Sequence, residues 1–432
     1  MRHRLFRLLA LSWIGFGLIT PLQADTQAYI PDLGGGRVLR VAADESFRTV
    51  ALAGEPYGAA VTPDGRRVLV SRTAAGSVAV ITAETFESAG SQVHVAVGSG
   101  PRGVAVTPDG RYAFVANFED DSVSQIALSS MTVTATHAVG SGPWGVAAFY
   151  DDAAATHRVY VANHLDNSVS VITTEAITRI ENVGNGPLGL ALTPDGQWLY
   201  VANYNDDTVA VIRTSDHSLF DVVRVGDGPF GVAVGMQGES VFVSNSFSDS
   251  VSVIRVSDNL IERTYAVGFQ PMGVAAPVNG DYAYVVNSRS NSVTRIGHAD
   301  GTLDTILTGE LNAAVALGAF FGGPPPEAPG ALAAVPDSSG RIQLSWTDRS
   351  SDELGFAIER RREPDAEFEE IARVGADRVD FSDGGLQSEA TYVYRVRAFN
   401  ETGFSAYSAT AQATTEDSDT AVSWCFIGTL LH

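Results

Sequence analysis

Pro187-Leu188-Gly189-Leu190-Ala191-Leu192-Thr193-Pro194-Asp195-Gly196-Gln197-Trp198-Leu199-Tyr200-Val201-Ala202-Asn203 reads as a strand, a tight turn and a second strand in one phrase. Pro-Asp-Gly supplies a preset φ, an Asx side chain and a residue free to take φ > 0, which together suit a hairpin turn. The strand before the turn is apolar on both faces and must be covered on both sides. The strand after it ends in asparagine.

The phrase recurs. Its proline stands at Pro56, Pro101, Pro143, Pro187, Pro229 and Pro271, at intervals of 45, 42, 44, 42 and 42 residues. Pro-Asp-Gly returns at 63–65 and 108–110. The strand ending in asparagine returns as Phe114-Val115-Ala116-Asn117, Tyr160-Val161-Ala162-Asn163, Phe242-Val243-Ser244-Asn245 and Tyr284-Val285-Val286-Asn287. A polar loop then leads to a third strand, such as Ser168 to Ile172, and a fourth, such as Ser218 to Val225, ends the unit. Four short strands per repeat of about 42 residues is the one-sheet-per-blade pattern of a β-propeller. After the sixth unit only one apolar strand remains, Ala313 to Phe321. Before the first unit, residues 28–30, 37–41 and 48–52 match strands two, three and four. Joining the two ends predicts an all-β, seven-bladed ring without exposed sheet edges.

Tyr-Val-Ala-Asn at 160–163 and 200–203, followed by Asp166-Asn167-Ser168-Val169 or Asp206-Asp207-Thr208-Val209, resembles the YVTN-type propeller repeat of exported and surface-layer-type bacterial and archaeal proteins. The resemblance spans roughly residues 28–322 and implies fold, not function, since propellers host enzymes, binders and scaffolds alike.

Beyond Gly322-Gly323-Pro324-Pro325-Pro326-Glu327-Ala328-Pro329 the repeat vanishes and short alternating strands take over, at 342–346, 356–359 and 392–398. About 90 residues of such strands read as a small β-sandwich. The region resembles an immunoglobulin-like fibronectin type III domain: Trp346 sits where that family has its core tryptophan, and Leu386 and Tyr392 match its tyrosine corner. Ser388 replaces the family's usual proline. No Arg-Gly-Asp tripeptide occurs, so integrin-type adhesion has no support in the sequence.

The expected organisation is a signal peptide at 1–24, the propeller at 25–323, a Pro-rich linker at 324–329, the fibronectin type III domain at 330–416 and a C-terminal tail at 417–432. Arg2, Arg4 and Arg7, the apolar run from Leu8 to Ile19 and Leu22-Gln23-Ala24 make the secretory pattern. The run is too short for a comfortable membrane span, so an exported protein with no integral span after cleavage is expected, periplasmic, extracellular or on the cell surface. The single Cys425 allows no intramolecular disulfide, so burial must supply the stability. In the tail, Cys425-Phe426-Ile427-Gly428-Thr429 resembles a Cys-Phe-Ile-Ala-Thr box of some exported proteins, with Gly428 in place of alanine.

The formal net charge of -22 argues against nucleic acid, whose phosphates call for clustered cations. The chain contains no lysine, which removes Schiff-base and lysine general-base mechanisms. The residues between proline and glycine in successive repeats, Tyr57, Arg102, Trp144, Leu188, Phe230 and Met272, should ring the channel mouth as a docking surface or as a cap where the blades converge. Carboxylate-rich loops at Asp120-Asp121, Asp166-Asn167, Asp206-Asp207, Asp249 and Asn291 offer oxygen ligands for calcium. They stand one per blade, however, and read as turn chemistry. His94, His137, His157, His164, His217 and His298 show no metal-like spacing. The insertion from Asp151 to His157, with His164, marks one irregular blade. Neither metal nor cofactor is expected. The ring positions hold no histidine or carboxylate, which favours a non-catalytic exported scaffold that binds a protein, polysaccharide or other cell-surface component. The alternatives are a hydrolytic, lactonase-like propeller and a structural component of the envelope or surface layer.

Overall fold

The computed structural model describes residues 27–417, except 43–45, 84–85, 87–92, 152–155, 236–237, 277–281, 298–300, 308–325, 339, 351–352, 354, 365–367, 376–377 and 401–402. The secretory pattern at 1–24, the closing strand at 313–321, His298, most of the insertion at 151–157, the start of the Pro-rich linker and the tail around Cys425 lie outside the described residues. Among the described residues the chain is all-β apart from short 3-10 turns such as Thr73–Ala75, and no helix is long and apolar enough to cross a membrane.

Six four-stranded antiparallel sheets follow one another, each with its strands paired in chain order. Their first strands are Pro56–Val61, Pro101–Val106, Pro143–Asp151, Pro187–Leu192, Pro229–Gly235 and Pro271–Ala275, which define units 1 to 6. In unit 4 the others are Trp198–Asn203, Thr208–Arg213 and Ser218–Arg224. The first strands contact one another in succession from unit 1 to unit 6.

The core lies between sheets. Side chains alternate across a strand, so Leu199 and Val201 pack against unit 3 beside Tyr160 and Val169, while Tyr200 and Ala202 pack against unit 5 beside Val232 and Val241. Apolar runs on both faces of the first three strands follow from this burial on both sides. The fourth strand is largely exposed.

Before unit 1, strands Gln27–Asp32, Arg37–Ala42 and Phe47–Ala51 form a three-stranded sheet. Ala28, Ile30, Leu39 and Val41 pack on unit 6 against Ala275, Tyr284 and Val286. Tyr29, Val38, Val50 and Leu52 pack on unit 1 against Ala59, Val68 and Val70. The amino-terminal sheet is therefore in contact with both the first and the last of the six units.

After residue 326, Gly330–Ser338, Arg341–Thr347 and Asp380–Gly384 form one sheet. Glu369–Gly375, Gly355–Arg362 and Thr391–Asn400 form another, with Gly403–Phe404 and Ala411–Thr414 on its edge strand. They share one core around Trp346, Phe356, Ile358, Tyr394 and Val396. The Gln387 N–H donates to the Tyr392 hydroxyl at 3.1 Å.

Candidate functional site

Each unit opens with the same irregularity. In unit 4, Pro187 pairs with Asn203, yet Leu190 pairs with Val201, so the first strand carries one extra residue; the other five units repeat the shift. A bulge of this kind re-aims a side chain at the end of a strand. The re-aimed residues meet. Tyr57, Leu188 and Phe230 are buried in one cluster, with Trp144, Met272, Tyr204 and Leu33 packed against it. Arg102 joins through its guanidinium, which stacks 3.6 Å from the Trp144 ring centroid and 3.8 Å from that of Phe118. The six residues expected at the channel mouth are thus brought together, and Leu33 adds to them from the turn between the first two strands of the amino-terminal sheet.

Trp144 is the hub. Tyr57, Phe118 and Phe230 meet its ring edge-on, with centroids 5.9, 5.4 and 6.1 Å away, the geometry that pairs a ring's positive edge with a negative face. His164 completes the cluster at 5.4 Å. Half-buried there, its imidazole is pushed below its ordinary value of 6.5, chiefly by desolvation; hydrogen bonds to the backbone of Gly186 and Pro187 oppose the shift, and the nearby Arg102 cation adds to it. At neutral pH this histidine carries no charge. Burial pushes the Tyr57 phenol well up, so it stays protonated. Burial also lowers Arg102, but a guanidinium remains cationic in any protein setting. Arg102 Nε and His164 Nδ1 are both buried without a hydrogen-bond partner. Trp144 Nε1 is orphaned beside them, so three polar atoms of this cluster are buried without a partner.

His164, Phe118 and Tyr204 were not among the expected ring residues. They occupy one repeat position, immediately after the buried asparagines Asn117, Asn163 and Asn203, and that shared position was the available signal. The asparagines anchor the loops: Asn163 Nδ2, for example, donates to Ser168 and Ser170 at 2.9 Å each.

The acidic loops are clamps. Asp120, Asp166 and Asp206 accept the N–H groups of Ser99, Ser141 and Asn185 at the entry of their own units. Asp121, Asn167, Asp207 and Asp249 accept those of Gly142, Gly186, Gly228 and Gln270 in the next unit, at 2.8 to 3.0 Å. Asp121, Asn167, Asp207, Asp249 and Asn291 take positive φ, which Asx residues tolerate in turns. Among the described residues no three His, Cys, Asp or Glu side chains converge as a metal site would require. The remaining described histidines are dispersed: His94 lies by Arg72, His137 by Gln125, His157 pairs with Asp109 at 2.8 Å, and His217 packs on Tyr160.

Residues 53–219 match the family model described as "Lactonase, 7-bladed beta-propeller". A comparison with curated proteins finds no match. Among solved structures, Kuenenia stuttgartiensis hydrazine synthase is 20% identical with a TM-score of 0.54, covering 63% of this chain and 92% of that one. A putative 6-phosphogluconolactonase from Bacteroides fragilis is 14% identical with a TM-score of 0.55, covering 68% and 97%. A catalytically inactive histidine-to-alanine variant of virginiamycin B lyase from Staphylococcus aureus, with quinupristin, is 15% identical with a TM-score of 0.50, covering 61% and 93%. Together with the successive four-stranded sheets, these likenesses identify the repeat region as a β-propeller.

Proposed function

We propose that this chain is an exported, enzyme-like propeller of the lactonase type, with its active site in the cluster around Trp144. One observation carries the reading: a neutral imidazole, His164, and a fixed cation, Arg102, pack around the same indole. The ring positions themselves hold no titratable base, which is what favours a non-catalytic binder on sequence grounds. His164 enters from a neighbouring loop and removes that ground. A half-buried imidazole that is neutral at pH 7 suits general-base work. His164 takes a proton from water as the water oxygen attacks a lactone or ester carbonyl. Arg102 stabilises the negative charge that develops on the carbonyl oxygen. The ring oxygen then leaves and takes the proton from the imidazolium. Of the similar folds, the virginiamycin B lyase is catalytically inactive as a histidine-to-alanine variant, so a propeller histidine can be indispensable.

The same reading places the ring at 25–323 as seven blades, the amino-terminal sheet being completed by a strand from 313–321. It takes 330–416 as a fibronectin type III-type sandwich, supported by buried Trp346 and by the Tyr392 corner. Export rests on the pattern at 1–24.

The test is proton release in a pH-stat by the purified chain against γ-butyrolactone, glucono-δ-lactone and an aryl ester. Turnover that falls about a hundredfold or more in His164→Gln supports the assignment. No turnover on any of the three, or an unchanged kcat in the variant, overturns it. A second reading rests on the rim, where Leu165, Phe247 and Phe269 are 62%, 64% and 65% exposed: this face docks a protein or polysaccharide of the cell envelope.

A further inference from the structure

We propose a second ligand site on the same propeller, a pocket between units 5 and 6 that takes a free α-amino acid with an aromatic side chain. The pocket is a hollow open to solvent on one side, with a volume of about 450 Å³. Ser246, Phe247, Asp249, Phe269, Gln270 and Arg289 line it.

The pocket lies where two consecutive units depart from the repeat. In units 2 to 4 the residue after the buried asparagine is bulky (Phe118, His164, Tyr204); in units 5 and 6 it is Ser246 and Ser288. The following position becomes Phe247 and then Arg289. At the entry of unit 6, Phe269-Gln270 replaces the polar-residue-plus-glycine pairs Ser99-Gly100, Ser141-Gly142, Asn185-Gly186 and Asp227-Gly228. Gln270 holds a left-handed φ of 51°, where those glycines take 60° to 67°, a conformation costly for a residue with a Cβ. Unit 1 carries Glu55 at the position of Gln270, likewise at a left-handed φ of 61°, so what sets the entry of unit 6 apart is the exposed Phe269 where units 2 to 5 have a polar residue.

That part of the wall is fixed. The Phe269 N–H donates to Ser290 Oγ at 2.5 Å, and the Phe269 carbonyl accepts from the Arg289 N–H at 3.2 Å. The Gln270 N–H donates to Asp249 Oδ1 at 2.8 Å, and Ser288 Oγ lies 3.1 Å from both the Gln270 carbonyl oxygen and Gln270 Oε1, which ties the glutamine to its neighbour. Phe247 packs on Tyr204, with ring centroids 5.5 Å apart.

Charge selects the ligand. Among the described residues Asp249 and Arg289 form no ion pair, so the pocket presents one unpaired charge of each sign, with Asp249 Oδ1 already accepting the Gln270 N–H. An α-amino acid zwitterion answers both: ammonium to Asp249, carboxylate to Arg289 and the Gln270 amide. Its aromatic side chain lies against Phe247 and Phe269. A simple carboxylate or amine satisfies only one of the two charges.

The experiment is calorimetric titration of the full chain with L-phenylalanine, 3-phenylpropanoate and 2-phenylethylamine. Saturable binding of L-phenylalanine, with each analogue at least tenfold weaker, is expected. Arg289→Leu should weaken L-phenylalanine about tenfold or more and leave 2-phenylethylamine unchanged. Phe269→Ser, which restores the side chain found in units 2 and 3, should weaken all three. Absence of saturable binding by L-phenylalanine, equal binding of 3-phenylpropanoate, or an unaltered Arg289→Leu titration in a variant of unchanged melting temperature overturns the proposal. None of these outcomes bears on the assignment at His164.

Discussion

Gly189→Ala is a severe test of how the first strands meet. A Cβ built on Gly189 would lie 2.3 Å from the carbonyl oxygen of Phe230 and 3.1 Å from Gly231 Cα and Val232 N. Real Cβ contacts do not fall below 3.0 Å, so units 4 and 5 must part by about 0.7 Å at this level. Every obstacle is backbone, and no side chain can swing away. The contact also belongs to a series: a Cβ built on Gly58, Gly103, Gly145 or Gly231 would lie 2.4, 2.4, 2.4 or 2.6 Å from the matching carbonyl oxygen of Arg102, Trp144, Leu188 or Met272. Spreading one joint therefore strains its neighbours. Overpacking costs about 1–3 kcal/mol, and the upper end applies where only backbone can yield. The lower entropy of an unfolded alanine returns about 0.4–1 kcal/mol. The net loss is about 2 kcal/mol, which for a domain of about 300 residues lowers Tm by about 3 °C. The assay is thermal unfolding of the full chain followed by near-UV circular dichroism. Gly375→Ala is the control, because nothing lies within 4 Å of its added Cβ and its φ is ordinary; its Tm should hold or rise slightly. A Gly189→Ala protein melting within 1 °C of wild type would refute the close-approach argument.

Other expectations follow from the same contacts. Removing residues 27–53 takes away the apolar faces that meet both unit 1 and unit 6, so the truncated chain should lose cooperative melting; an unchanged transition would show that the amino-terminal sheet is not integral to the ring. Glu359 is buried and holds Arg395 at 2.5 Å, Arg397 at 3.2 Å and the Tyr407 hydroxyl at 2.6 Å. Glu359→Ala strands those partners and should cost about 3–5 kcal/mol, read as a lower urea midpoint for the segment beyond residue 326. Burial lowers the imidazole pKa of His137, His164 and His217. The unfolded chain therefore binds more protons just below pH 6.5, so stability is full above that pH and is lost as pH falls through the folded-state values. Melting curves between pH 8 and pH 5 should show a plateau and then a decline, and a flat profile would contradict the assigned burial.

The repeat was legible because its causes are local. Proline, Asx and glycine fix a turn through their own φ preferences, and alternating apolar residues betray a strand covered on both faces. The acidic loops were legible only as turns: Asp121, Asn167 and Asp207 take the positive φ of turn residues, but their side chains bond backbone N–H groups of the next unit and not of their own turn. The site was legible only in part. Tyr57, Arg102, Trp144, Leu188, Phe230 and Met272 share a repeat position, so periodicity gathers them. His164 belongs to a different position, and its approach to Trp144 depends on how one unit's loop overlies the next.

What the sequence determined by itself was the unit, its number of copies and the side chains each copy points toward the centre, since these follow from spacing and backbone preference. Only the tertiary structure decided which of those side chains touch. The meeting of Arg102, Trp144 and His164, and the opening between Phe247 and Arg289, depend on carbonyl-to-glycine contacts that set the distance between units and on loops that cross from one unit to the next. Such distances arise from packing among residues about 40 positions apart, a scale at which no local preference carries information.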